Sequence, residues 1–473
     1  MASFDKFPDD SCFSEERRTF KSENMNTKFI ALLITVVASF LTPFMGSATN
    51  IALPSIGKEF EVDAITLGWI ATSYLLAAGM FSVPFGRLAD VRGRKKVFVI
   101  GLLVYSIGSF LSAIAPSTEL LIGSRIVQGI GGAMIFATSV AILTSVFPPN
   151  ERGKAIGVNT GAVYTGLSLG PFLGGYLTQN FGWRSVFFIN VPLGILVFTL
   201  ALLKLREEWA EARGERFDFK GSAIYSLMLL LTIYSLTELA VPFLIAGLIL
   251  LFAFIAYESR VEQPVLEIRL FRNNLTFSLS NLAALLNYSA TFAVGFILSL
   301  YLQYVKGFDP QNTGMILISQ PVIMAIFATF AGWLSDRIEP RIVASAGMAV
   351  TALSLFIFSN IDASTSISLI VANLMLLGFG LALFSSPNTN AIMSSVERKF
   401  FGVASATVAT MRLTGQVLSM ALVMLVFSIL MGRVEITPEY YPMLIESARL
   451  SFMLFTVLCI VGIFASLGRG RIR

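Results

Sequence analysis

Two arginines sit among apolar residues, where a cation is expensive unless it is paired and hydrogen-bonded. Arg125 and Arg412 each lie inside a long hydrophobic run of this 473-residue chain. Gln128, one helical turn after Arg125, offers it only a neutral carbonyl. Asn50, Asn287, Tyr288 and Gln320 supply further polar groups, and Met45, Tyr74 and Tyr164 an adaptable apolar wall. Such a set can grip a neutral or anionic head group and cradle an apolar body. It does not look like a reaction centre. There is no histidine, the commonest general base and metal ligand. Cys12 and Cys459 lie at opposite ends of the chain, so no metal site, disulfide framework or cofactor is expected. Glu119, Glu238, Glu258, Asp362 and Glu446 fall at or near the ends of apolar runs, and no carboxylate stands near a middle.

The elements that must hold these groups are set by composition. Hydrophobic residues make up 55% of the chain and charged residues 13%, against roughly 25% charged in soluble domains. The apolar residues come in blocks near 20 long, the length that crosses a bilayer core as helix. They fall near 27–49, 64–86, 96–115, 119–147, 154–178, 184–204, 221–239 and 241–259. Six more lie near 275–304, 311–335, 341–360, 364–388, 400–431 and 446–467. About fourteen transmembrane helices are therefore expected in an all-α membrane protein, with the lipid bilayer as partner.

Charge orients them. Even-numbered connections carry Arg87, Arg92, Arg94, Lys95 and Lys96, then Arg152 and Lys154, and continue to Arg337, Arg341, Arg398 and Lys399. Odd-numbered ones carry only Lys58, Arg184, Lys306, Arg433 and Arg449. The positive-inside rule places both termini in the cytoplasm of a multi-pass cell-membrane protein. The net charge of +5 comes from these loops and gives no nucleic-acid patch. Residues 1–26 read as a disordered cytoplasmic tail, with Met25 an alternative start.

The chain repeats itself. GRLADVRGRKK begins at Gly86, and GWLSDRIEPR at Gly332, 246 residues later. Arg152 and Arg398, each in a Glu-Arg pair before a long run, are separated by 246 as well. Two loops sharing one offset indicate a duplicated six-helix unit, at 27–204 and 275–473. Residues 205–274 form a linker with an inserted two-helix hairpin. Paired halves around a midplane site are a common transporter layout.

Four motifs then carry a resemblance: the loop from Gly86 through Asp90 and Arg94; Arg125-Ile126-Val127-Gln128-Gly129; the Gly166, Gly170-Pro171, Gly174 face; and the hairpin flanks FDFKG and PVLEIRLFRNN. The chain resembles the major facilitator superfamily, in its fourteen-helix drug:proton antiporter branch. The resemblance covers nearly all residues after 27. It implies two six-helix bundles plus the hairpin. It also implies alternating-access efflux of small amphipathic compounds, coupled to protons, by a monomer. The gating residues would be Gly86, Asp90, Arg94, Arg152, Gly170, Pro171, Gly174, Asp336 and Arg398, the first loop latching the halves in an outward-facing state. Arg125 matches an arginine linked to proton transfer.

The chain departs from that branch at Met45, where the first-helix motif carries Asp. Without that acid, Arg125 has no carboxylate in its half, and an anionic substrate head group is expected to complete it. Two other readings stay open: translocation of a lipid or anionic amphipath between leaflets, and a membrane-embedded transferase. The missing histidine and short loops speak against the enzyme. No G-x-x-x-x-G-K-[ST] loop for ATP occurs.

Overall fold

The computed structural model describes residues 10–148, 151–397 and 401–470, and among them every regular element is a helix. Fourteen long helices carry the fold. They are α1 (Asp10–Phe60), α2 (Ala64–Arg92), α3 (Arg94–Ala113), α4 (Thr118–Val146), α5 (Arg152–Phe181), α6 (Arg184–Lys204) and α7 (Phe219–Glu238). The rest are α8 (Val241–Glu258), α9 (Leu275–Val305), α10 (Pro310–Ser335), α11 (Pro340–Phe358), α12 (Ile367–Ser394), α13 (Phe401–Leu430) and α14 (Pro438–Gly468). Thirteen are long and apolar enough to cross a membrane. The remaining one, α5, has 30 residues, its apolar content diluted by Gly, Thr and Asn.

The membrane-crossing part of α1 runs from Thr27 to Phe60.

Helix starts follow sequence. Asp63, Ser117, Asn274, Asp309 and Ser366 each accept a bond from the backbone N–H three residues on, capping α2, α4, α9, α10 and α12. The repeat reappears as packing. A Cβ on Gly101 of α3 would lie 2.6 Å from Met134 Cβ of α4; one on Gly347 of α11, 246 positions later, would lie 2.6 Å from the Phe384 nitrogen of α12. Both pairs need glycine for close approach.

Interior prolines do more than bend. Proline lacks an N–H, so the carbonyl four residues earlier loses its helical donor. In three helices a serine of a neighbour fills it. Pro84 frees Met80 O, which accepts from Ser226 of α7 at 2.9 Å. Pro171 frees Leu167 O, taken by Ser47 of α1 at 3.2 Å. Pro54 frees Asn50 O, taken by Ser299 of α9 at 2.7 Å.

The α7–α8 hairpin lies against α2 and α13, where the halves meet. Tyr225 donates to Gly79 O, and Ser428 of α13 donates to Thr237 O of α7. The far side of α8 is exposed, with Phe252 71% accessible, as suits a lipid-facing helix.

Candidate functional site between the halves

Hydrogen bonds that cross between the halves cluster at the end of the odd-numbered loops. Besides Ser299 to Asn50, Gln303 donates to Ile51 O at 3.0 Å and the Ala64 N–H to Val434 O at 3.3 Å. There α5 and α10 touch backbone to backbone: a Cβ on Gly175 would run into Pro310 O, and one on Gly314 into Pro171 O. The glycines let two helices seal that end.

At mid-depth a different contact joins the halves. The glycine face of α5 packs on α1; side chains at Gly166, Gly170 or Gly174 would meet Phe40 O, Ser47 and Ala48. Fixed on that side, α5 presents Tyr164 to the other half, where its hydroxyl bonds Ser385 Oγ of α12 at 2.5 Å. The Tyr288 hydroxyl of α9 interacts with both Tyr164 and Ser385, and Arg412 of α13 acts electrostatically on it. Tyr164, Tyr288 and Arg412 are half-buried. Among the described residues no salt bridge reaches Arg412. Beside Tyr288, Asn287 is fully buried with both amide atoms unpartnered. The ensemble is two phenol hydroxyls, a serine and a cation without an ion-pair partner among the described residues. It can donate to an anionic or neutral polar group and stack against an apolar one.

The sequence-derived candidates separate. Tyr164, Tyr288 and Arg412 come together; Gln320 stands half-buried on α10, its backbone oxygen against Gly378 of α12. Asn50 belongs to the sealed end. Arg125, Gln128, Tyr74 and Met45 are enclosed in the first half, each at most 1% exposed. Arg125 donates to Ile70 O at 3.2 Å and Gln128 Oε1 at 2.5 Å, with its guanidinium 4.5 Å from the Tyr74 ring centre and 5.6 Å from that of Phe187. Gln128 in turn donates to Ser109. Met45 accepts from Asn190, which also accepts from Tyr105. Neutral partners and ring faces thus occupy the place expected for a substrate head group. The sequence could not show this, because it required knowing which face of α4 meets α2 and α6.

The basic loop is held by its own half and by the linker that follows it. Arg94 pairs with Asp90 at 2.7 Å and Glu211 at 2.7 Å, and donates to Ser145 Oγ and Ala141 O. Gly86 faces α4 without crowding, since a Cβ there would lie 3.8 Å from Ala137 Cβ, an ordinary contact. Arg152 donates to Phe147 O at 2.9 Å. Arg398 and the Asp336 side chain lie outside the described residues. Glu208, whose carboxylate accepts from the Lys95 and Lys96 N–H groups, caps α3, and Glu215 pairs with Arg87. Sequence reading passed over these linker acids; their signal was an acidic stretch, EEWAEARGE, opposite a basic loop in an adjacent connection.

Known proteins resemble the chain along most of its length. It is 31% identical over 82% of its length to the riboflavin transporter RibZ of Clostridioides difficile, covering 86% of that protein. It is 30% identical over 84% to the multidrug resistance protein Stp of Mycobacterium tuberculosis, covering 75% of it. It is 29% identical over 86% to the cephamycin export protein CmcT of Amycolatopsis lactamdurans, covering 87%. A solved bacterial homologue of the human lysosomal transporter Spinster, inward-facing and occupied, shares the fold with a TM-score of 0.69 at 17% identity, over 93% of this chain and 96% of that one. The model of the Major Facilitator Superfamily matches residues 35–271 and 280–471. With its many membrane-crossing helices and the relatives just named, the chain belongs to the Major Facilitator Superfamily of membrane transporters.

Proposed function

We propose that this transporter exports small neutral or anionic amphipathic molecules across the cell membrane by alternating access, working as a monomer. The observation that carries the reading is the mid-depth cluster of Tyr164, Ser385, Tyr288 and Arg412: cationic, without a paired carboxylate among the described residues, and shared by both halves. The positive-inside rule supports a cytoplasmic position for the basic end, so on this reading substrate enters from there and from the inner leaflet. The seal of Asn50, Ile51 and Ala64 against α9 and the end of α13 then opens to release it. Relatives named for multidrug resistance and cephamycin export support the outward direction. No carboxylate stands near mid-span among the described residues, so an imposed pH gradient tests proton coupling directly.

Proteoliposomes with an imposed pH gradient test it against a panel of anionic, neutral and permanently cationic amphipaths. Uptake into inside-out vesicles should be faster for anionic and neutral members. A quaternary ammonium dye carried as fast as the anions would overturn the substrate class. Movement only of phospholipid analogues between leaflets would replace export with lipid translocation. Rates that ignore the pH gradient would remove the proton as coupling ion.

A further inference from the structure

Among the described residues Glu258 is the only buried carboxylate, 2% exposed at the end of α8. It meets Asp218, the N-cap of α7, so the pair closes the base of the inserted hairpin. Three groups of donors are already placed. Asp218 Oδ1 accepts from the Gly221 N–H at 2.9 Å and the Tyr257 hydroxyl at 3.1 Å. Glu258 Oε2 accepts from the Leu266 N–H at 3.1 Å. The other two oxygens, Asp218 Oδ2 and Glu258 Oε1, are buried without a partner. Both crowd the same spot over Gly221, where an added Cβ would strike each of them, and the two side chains interact directly. Two ionised carboxylates cannot share such a place.

We propose that Asp218 and Glu258 are a proton-binding site, one proton held between Glu258 Oε1 and Asp218 Oδ2. The pair then carries a single negative charge. The groups acting on it are Tyr257 and the backbone N–H groups of Leu266 and Val265. Lys220 of α7, and Arg260 and Glu262 after α8, are exposed, while the packing around the hairpin base is apolar, from Val83 and Met80 of α2 to Tyr225 and Phe254. Among the described residues no salt bridge reaches Glu258 or Asp218. A metal cation needs more oxygens than the two left free; a proton needs two. This site is independent of the substrate cluster, and it lies where the hairpin meets the segment leading to α9.

The test uses the full chain in lipid nanodiscs. Infrared spectra at neutral pH should show the carbonyl stretch of one protonated carboxylic acid, lost in Glu258→Gln. It should also be lost in Asp218→Asn, where the amide keeps the cap and donates to an ionised Glu258. A folded state that holds a proton the unfolded chain releases loses stability as pH rises. The wild-type melting temperature should therefore fall across the band's titration, and that slope should flatten in Glu258→Gln. A wild-type spectrum without the band at neutral pH overturns the proposal, and needs no variant to fold. So does a melting temperature raised by added Na⁺ or Ca²⁺ at constant ionic strength, which would put a metal cation between the oxygens.

Discussion

Arg125 and Arg412 are the same residue in the same kind of apolar run, yet the structure uses them differently. Arg125 is 1% exposed and surrounded inside one half by a carbonyl, an amide oxygen and two aromatic faces. Arg412 is half-buried, acts electrostatically on Tyr288 of the cluster where the halves meet, and is reached by no salt bridge among the described residues. The first cation ties α4 to α2 and α6; the second has no ion-pair partner among the described residues. A charge at membrane depth is costly in either place. What it does depends on whether its free donors face protein or the surface that moves.

The largest effect should come from Arg125→Ala. It removes a wedge of packing and a charge–ring contact, at a cost of about 2–5 kcal/mol. Thermal unfolding in detergent should reveal it, and whatever transport survives should fall equally for every substrate. Selective loss of anionic substrates would erase the distinction between the two arginines. Arg412→Ala should leave folding near wild type and slow anionic substrates by roughly 10–100-fold, the worth of one charged hydrogen bond, with neutral ones less affected. Equal slowing of both classes would count against a head-group contact.

Asp90→Asn removes one of the two carboxylates holding Arg94. It should impair transport and shift the balance of conformations by on the order of 1–3 kcal/mol. A background with Cys12 and Cys459 replaced allows thiol labelling from the basic side. There Ser385→Cys should react faster once Asp90 is neutral, while Gln128→Cys stays silent in both. Reaction at Gln128→Cys would place Arg125 in open space after all. The smallest effect belongs to Pro54→Ala. The new N–H restores a helical donor to Asn50 O and leaves Ser299 without its acceptor, weakening the seal by about 1 kcal/mol. Labelling of Ser385→Cys from the opposite side should rise.

Much of the fold was legible, because span length and a repeat at 246 are local or periodic signals. The site was legible by residue type and not by address. Tyr164 and Tyr288 lie 124 positions apart and meet only because a glycine face turns α5 one way. Ser385 escaped notice because serine in an apolar helix commonly bonds its own preceding turn. Arg125 was placed with the substrate because sequence reports the expense of a charge, not which neighbours offset it. The linker glutamates were missed because loops were counted for positive charge alone.

The serine that answers Pro54 has a further meaning for motion. Asn50 O was detached from its own helix before the halves ever met. On the proposed alternating access, the seal can part without unwinding a turn of α1, with water taking the position that Ser299 leaves. The joint would then work as a plug and socket: the helices stay rigid levers, and the work of opening is confined to a few bonds that solvent can replace one for one.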